Sequence, residues 1–118
     1  MMIITIPAYN EAKTLGKVIS EIKSVLGNNQ KILVVDDEKE IRISLKEILE
    51  EEGYDVLLAE TAKEAENAFA NDVNLVLLDI KLGNDNGIDV LQKFKSIKPL
   101  VPIIMISVHG TVALTAKA

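Results

Sequence analysis

The sequence predicts a doubly wound α/β domain, and three observations lead there. Five β-rich apolar runs alternate with segments whose apolar residues recur at helical spacing. Three of the runs, Ile32 to Asp37, Asn74 to Asp79 and Ile103 to Ser107, carry four consecutive apolar residues straight into polar ends, the pattern of strands buried on both faces of a parallel sheet. Each of the three ends in groups that carry chemistry: Asp36 and Asp37, Asp79, and Ser107. Open α/β sheets keep their ligands beyond the carboxyl ends of their strands.

Composition narrows the classes. The 118 residues suit one domain, 1–118, with 48% apolar, 3% aromatic and no Trp, so the core must be aliphatic. A net charge of −5 argues against a nucleic-acid surface. The charge is uneven, because residues 1–30 hold three Lys against two Glu while residues 31–118 hold ten Lys or Arg against sixteen acids. Without cysteine there is no disulfide framework, which fits a reducing cytoplasm. No apolar run approaches the roughly 18 residues of a membrane span, and residues 1–7 lack the basic flank of a signal peptide.

In chain order, Met2 to Ile6 reads as a strand closed by Pro7, and Asn10 as the N-cap of a helix from Glu11 to Leu26 that Gly27-Asn28-Asn29 ends. Lys31 to Val35 is the second strand. Ile41, Leu45, Ile48 and Leu49 mark a helix from Lys39 to Glu52, Glu-rich on its outer face and stopped by Gly53. Tyr54 to Ala59 is a strand, and Thr61 with Glu64 forms a capping box for a helix through Ala62, Ala65, Ala68 and Phe69. After the Asp79 strand, Lys81 to Gly87 is a turn-rich loop. Ile88, Leu91, Phe94 and Ile97 define the next helix, ended by Pro99 and Pro102; after the Ile103 strand a small-residue helix begins at Gly110.

Two adjacent carboxylates at one strand end and a third at another oppose each other's ionisation unless a cation neutralises them. A hard divalent ion such as Mg²⁺ fits oxygen ligands of this kind. Asp36 and Asp37 also suit plain capping of the following helix, and Ser107 a plain strand end; both readings stay open on spacing alone. Asp79, alone at the end of an apolar strand beside a Gly/Asn loop, has little structural use. His109 reads as an exposed helix-start residue.

From Lys31 to Ala118 the sequence resembles the receiver domain of two-component response regulators, of the type attached to σ54-dependent activators. Lys31-Ile-Leu-Val-Val-Asp-Asp-Glu resembles the first strand and acidic pair; Leu75-Val-Leu-Leu-Asp-Ile-Lys-Leu with Gly87-Ile-Asp-Val-Leu resembles the phosphoacceptor strand and loop; and Pro102-Ile-Ile-Met-Ile-Ser with His109-Gly-Thr resembles the fourth strand with its switch hydroxyl. The resemblance implies a flavodoxin-like sheet of order 2-1-3-4-5 and a phosphoprotein rather than an enzyme. By it, Asp79 accepts a phosphoryl group from a histidine kinase or a small phosphodonor, Asp36, Asp37, Asp79 and the backbone carbonyl of Lys81 hold Mg²⁺, and Ser107 binds a phosphoryl oxygen.

Two departures qualify it. The family's fifth strand, ending in Lys-Pro, and its fifth helix are missing after residue 118, and thirty residues precede the first receiver strand. Residues 1–30 resemble instead the first strand and helix of family 2 glycosyltransferases, through Ile4-Thr-Ile-Pro-Ala-Tyr-Asn-Glu-Ala-Lys-Thr-Leu-Gly-Lys-Val-Ile. The chain therefore resembles a chimera, engineered or recombined. The added strand and helix match the missing ones in kind, so Met2 to Leu26 is expected to fill the fifth position, its helix on the face of the Lys39 to Glu52 helix as the right-handed crossover rule permits. Exchange of this unit between two chains is the alternative, and an exposed edge favours a homodimer.

In that alignment the family's phosphate-binding Lys is Ile6 and its switch aromatic is Ile3, with Lys13 or Lys81 as partial substitutes. Mg²⁺ binding is then expected to survive weakly and phosphotransfer to be poor. Two other readings are a working phosphoacceptor module and a nucleotide-sugar-binding glycosyltransferase fragment. The last lacks a downstream Asp-x-Asp after a strand.

Overall fold

The computed structural model describes residues 5–7, 19–27, 30–82 and 85–107, with backbone alone at 5–7, 81 and 107. Five parallel strands form the main sheet: β1 (Thr5–Pro7), β2 (Lys31–Val35), β3 (Asp55–Ala59), β4 (Leu75–Asp79) and β7 (Ile103–Ser107), in the order β1-β7-β4-β2-β3. The continuous apolar runs occupy the middle of the sheet, where both faces are covered. All five residues of β4 are buried.

Alternate residues of each strand face opposite layers. On one side, Ile32, Val34, Leu75, Leu77, Ile104 and Ile106 pack under the helical residues 19–25, α1, and under α2 (Lys39–Glu51), which contribute Ile22, Ile41, Leu45 and Leu49. On the other, Leu33, Val35, Val76, Leu78, Ile103 and Met105 pack against α3 (Ala62–Phe69) and α4 (Gly87–Ile97) through Ala65, Phe69, Val90, Leu91 and Phe94. Phe69 and Phe94 stack with ring centroids 3.9 Å apart, joining the two helices. Lys98 Nζ lies 5.1 Å from the Phe69 ring centroid and donates to the carbonyls of Phe69 and Asn71 at 2.9 and 3.0 Å, so a cation closes the carboxyl end of α3.

The N-terminal strand takes the fifth position of the expected 2-1-3-4-5 order. It pairs with β7 of its own chain, Thr5 with Met105, Ile6 with Ile106 and Pro7 with Ser107, so the unit is not exchanged in this structure. Because α1 shares a face with α2, the passage from β1 to β2 keeps the same hand as the passage from β2 to β3. The side chains of Lys23 and Glu52 form an ion pair between α1 and the end of α2. The hydrogen bond and charge of Glu52 raise the pKa of the Lys23 ammonium.

Several element ends differ from expectation. Tyr54 precedes β3, although it is buried and its N–H bonds to Leu49 O. The α2 helix ends at Glu51, and Gly53 turns the chain with a φ of 93° that favours glycine. Thr61 Oγ1 accepts the Glu64 N–H as a cap should, but Glu64 Oε1 reaches the N–H of Glu60 at 2.9 Å, one residue before the cap. Ile97 is 54% exposed, and Val90 is buried in the core. The loop from Lys81 to Gly87 contains a short antiparallel ladder of β5 (Lys81–Leu82) and β6 (Asp85–Asn86). Residues 2–4 of the first strand, the Asn10 cap, residues 11–18 of the first helix, Asn28, Asn29, His109 and the helix expected from Gly110 lie outside the described residues.

Truncating Phe94 to Ala removes a fully buried ring from the α3 and α4 layer and is expected to cost about 3–5 kcal/mol. Urea unfolding followed by circular dichroism checks it through the shift in midpoint.

Candidate functional site

The sheet's register assembles the acids. Val35 pairs with Leu78, so the next residues along these neighbouring parallel strands are Asp36 and Asp79. Asp79 pairs in turn with Ile106, and Ile106 with Ile6. Asp36, Asp37 and Asp79 bring one carboxylate oxygen each to within 4.8 Å of one another. Asp36 and Asp79 are only 2% and 1% exposed; Asp37 is half-buried.

Backbone contacts hold this cluster in place. The N–H of Asp36 donates to Ala59 O at 3.1 Å, its carbonyl accepts from Arg42 Nη1 at 2.8 Å, and its Oδ1 accepts the N–H of Glu38 at 2.8 Å. That last bond is a local turn ahead of α2, whose N-cap Glu38 makes no side-chain capping bond. The capping reading of Asp36 therefore gives way to a turn that precedes the N-cap, and the same side chain belongs to the acidic cluster.

Beyond Asp79 the chain turns sharply into the β5 and β6 ladder, where Lys81 pairs with Asn86. Ile80 N–H bonds to Ile106 O, and Gly87 N–H returns to Ile80 O at 2.9 Å. A Cβ on Gly87 would stand 2.2 Å from Asp79 O and 2.7 Å from Ile80 O, so the loop can close over the strand end only with glycine there. Asn86 caps α4 by accepting the Ile88 N–H at 2.8 Å, and Asp85 Oδ2 accepts the Ala62 N–H at 3.1 Å, tying the ladder to the start of α3.

Like charges this close repel by about 1 kcal/mol per pair in water and about 4 kcal/mol at an effective dielectric of 20. The donor set is all carboxylate oxygen, and the buried Oδ1 of Asp37 receives no hydrogen bond among the described residues. These residues suit a hard divalent cation, for which the main chain of Lys81 lies two residues past Asp79. The structure brings Asp36, Asp37 and Asp79 together; Ser107 ends β7, next to β4, with its backbone described. Sequence reading missed Arg42, Asp85 and Asn86, because their contacts join residues distant in sequence or depend on where the loop turns.

A profile of the response regulator receiver domain matches residues 32–118. Among curated relatives, the alginate biosynthesis transcriptional regulatory protein AlgB of Pseudomonas putida is 36% identical over 92 residues, which is 77% of this chain and 20% of that protein. The chain thus spans about a fifth of AlgB's length. Among solved structures, a CheY-like receiver domain protein from Methanospirillum hungatei superposes with a TM-score of 0.67 at 38% identity, covering 72% of this chain and 69% of that one. A response regulator from Burkholderia pseudomallei, solved with a phosphorylated aspartic acid, a calcium ion and citrate, does so at 0.66 and 26%, covering 72% and 51%.

Two predictions follow from the geometry. Gly87→Ala is expected to destabilise the fold by about 1–3 kcal/mol, since Asp79 and Ile80 are main-chain obstacles that cannot rotate away; thermal melts measure it. Asp37→Asn removes one of three mutually repelling charges and is expected to raise stability in EDTA by about 1 kcal/mol, which urea titration without divalent ions would register.

Proposed function

The chain belongs to the response regulator receiver domain family, and on that footing we propose that its strand-end pocket is a phosphoacceptor site that has kept its acidic members and lost its cationic one. A carboxylate oxygen of Asp79 attacks the phosphorus of a phosphohistidine in a kinase or of a small acyl phosphate. The bond from phosphorus to the donor's nitrogen or oxygen breaks, the donor departs, and Asp79 carries an acyl phosphate. The transfer is stoichiometric, so the protein is a phosphoacceptor and not an enzyme.

Asp36, Asp37, Asp79 and the Lys81 carbonyl hold Mg²⁺ in this reading, and the Ser107 hydroxyl donates to a phosphoryl oxygen. When bound, the ion supplies positive charge that offsets the carboxylates and the incoming phosphoryl oxygens. The observation that carries the reading is the convergence of three carboxylates within 4.8 Å at the ends of two adjacent buried strands. Phosphoryl transfer asks the protein mainly for positioning and charge neutralisation, and this cluster can contribute to both.

The loss of the cation follows from β1. The residue of β1 in Asp79's row is Ile6, flanked by Thr5 and Pro7, and none of the three bears a positive charge. In a receiver the strand in this place ends in Lys-Pro, so in this reading β1 does not supply the family's ammonium to a phosphoryl group on Asp79, and signalling is impaired. In this reading the opening strand and helix, which lie outside the receiver match at residues 32–118, are a glycosyltransferase-like segment joined to a receiver within one domain, 1–118.

Incubation with acetyl phosphate and Mg²⁺, read by intact mass, is expected to label a minor fraction of the wild-type chain and none of Asp79→Asn. Ile6→Lys is expected to raise the labelled fraction severalfold. Near-complete labelling of the wild type would remove the claim of impairment, and equal labelling of Asp79→Asn would remove Asp79 as the acceptor.

A further inference from the structure

We infer that Arg42 is a positioning residue for the acidic pocket, fixing the main chain of Asp36 and through it the spacing of the carboxylates that meet a cation. The inference rests on the pocket reading above. Arg42 lies near the start of α2 with its side chain only 13% exposed, unusual shielding for a guanidinium. Nη1 donates to the Asp36 carbonyl at 2.8 Å, while Nη2 stands 3.7 Å from Glu60 Oε1.

The placement matters because Asp36 lies just past Val35, the last residue of β2 paired with β4. Its N–H is held by Ala59 at the end of β3, and Arg42 holds its carbonyl. Glu60, the residue after Ala59, is itself fixed by the bond from its N–H to Glu64 Oε1. One planar fork therefore spans the acid-bearing end of β2 and the corner where β3 turns into α3, a geometry lysine's single ammonium cannot copy.

Charge and positioning predict opposite signs. A guanidinium beside the pocket repels a divalent ion, so removing it as a mere charge would tighten Mg²⁺ binding. Removing it as a support would weaken binding, because ligands held from outside the metal's own contacts lose affinity when that hold is lost. A role confined to general stability would leave the affinity of the folded protein unchanged.

Isothermal titration of the full chain with MgCl₂, at a temperature where circular dichroism shows every variant folded, separates these cases. Arg42→Gln and Arg42→Lys are each expected to weaken Mg²⁺ binding about tenfold with stoichiometry preserved. Glu60→Gln, which leaves the bond to Asp36 in place, is expected to weaken it less than threefold. Binding by Arg42→Gln as tight as wild type or tighter overturns the assignment, as does a loss in Glu60→Gln equal to that in Arg42→Gln. If Arg42→Gln does not fold, Arg42→Lys decides by the same criterion. Absence of Mg²⁺ binding by the wild type is a separate result, which overturns the pocket reading and this inference with it.

Discussion

The side chains of β4 are buried from Leu75 to Asp79, and a strand in that position ends in a carboxylate only where neighbouring groups can receive its charge. The apolar residues are not negotiable: Val76 and Leu78 fill one layer while Leu75 and Leu77 fill the other, and each such side chain contributes about 1.5–3 kcal/mol when removed from water. Their packing leaves β4 no freedom to slide, because a one-residue slip would exchange the two layers. Asp79 is thereby placed beside Asp36 by the same register that builds the core. The chemistry at the rim is a consequence of hydrophobic register two residues away.

The same core needs an edge. Ile103, Ile104, Met105 and Ile106 of β7 are 0–4% exposed, burial that an outermost parallel strand would not achieve. Pairing with β1 supplies the neighbouring strand, and the fully buried Ile22 of α1 helps cover the layer above Ile104 and Ile106. Only generic properties are required of this closing unit: a β-prone strand, an amphipathic helix, and a crossover of the right hand. The strand β1 and the helix α1 meet them. A particular side chain at the rim is not among them, so the sheet can be completed whatever residue the unit places beside the pocket. Fold and site thus separate within one domain.

Legibility in the sequence follows the same division. Runs such as Leu75 to Asp79 announced buried strands, and the 3.6-residue spacing of Ile41, Leu45 and Leu49 announced the face of α2, because period and burial are local signals. The ends of the apolar runs pointed to the acidic residues, the resemblance implied their roles, and the register brings them together. Other features were not readable. Ile97 continued the apolar spacing of α4 yet, as the last residue of the helix, is largely exposed. The ladder of Lys81 and Leu82 with Asp85 and Asn86 is only two pairs long, too short for alternation to show. The bonds from Arg42 to Asp36, Asp85 to Ala62 and Lys98 to Phe69 join elements whose proximity exists only after folding. Long charged side chains carry no period of their own, so such contacts leave no trace in one sequence.

The pocket's charge is managed at two levels that need not change together. Main-chain contacts settle where the carboxylates stand: Ala59 and Arg42 grip the peptide groups of Asp36, while the missing Cβ of Gly87 lets the following loop close onto Asp79 and Ile80. Neutralisation is a different matter, since the N–H of Glu38 on Asp36 Oδ1 positions one oxygen but adds no positive charge to three carboxylates within 4.8 Å. A divalent ion answers that need whether or not a lysine is present, whereas a phosphoryl group adds further negative charge and increases it. Three carboxylates gathered at the rim therefore favour, by electrostatics, a cation over a further anion.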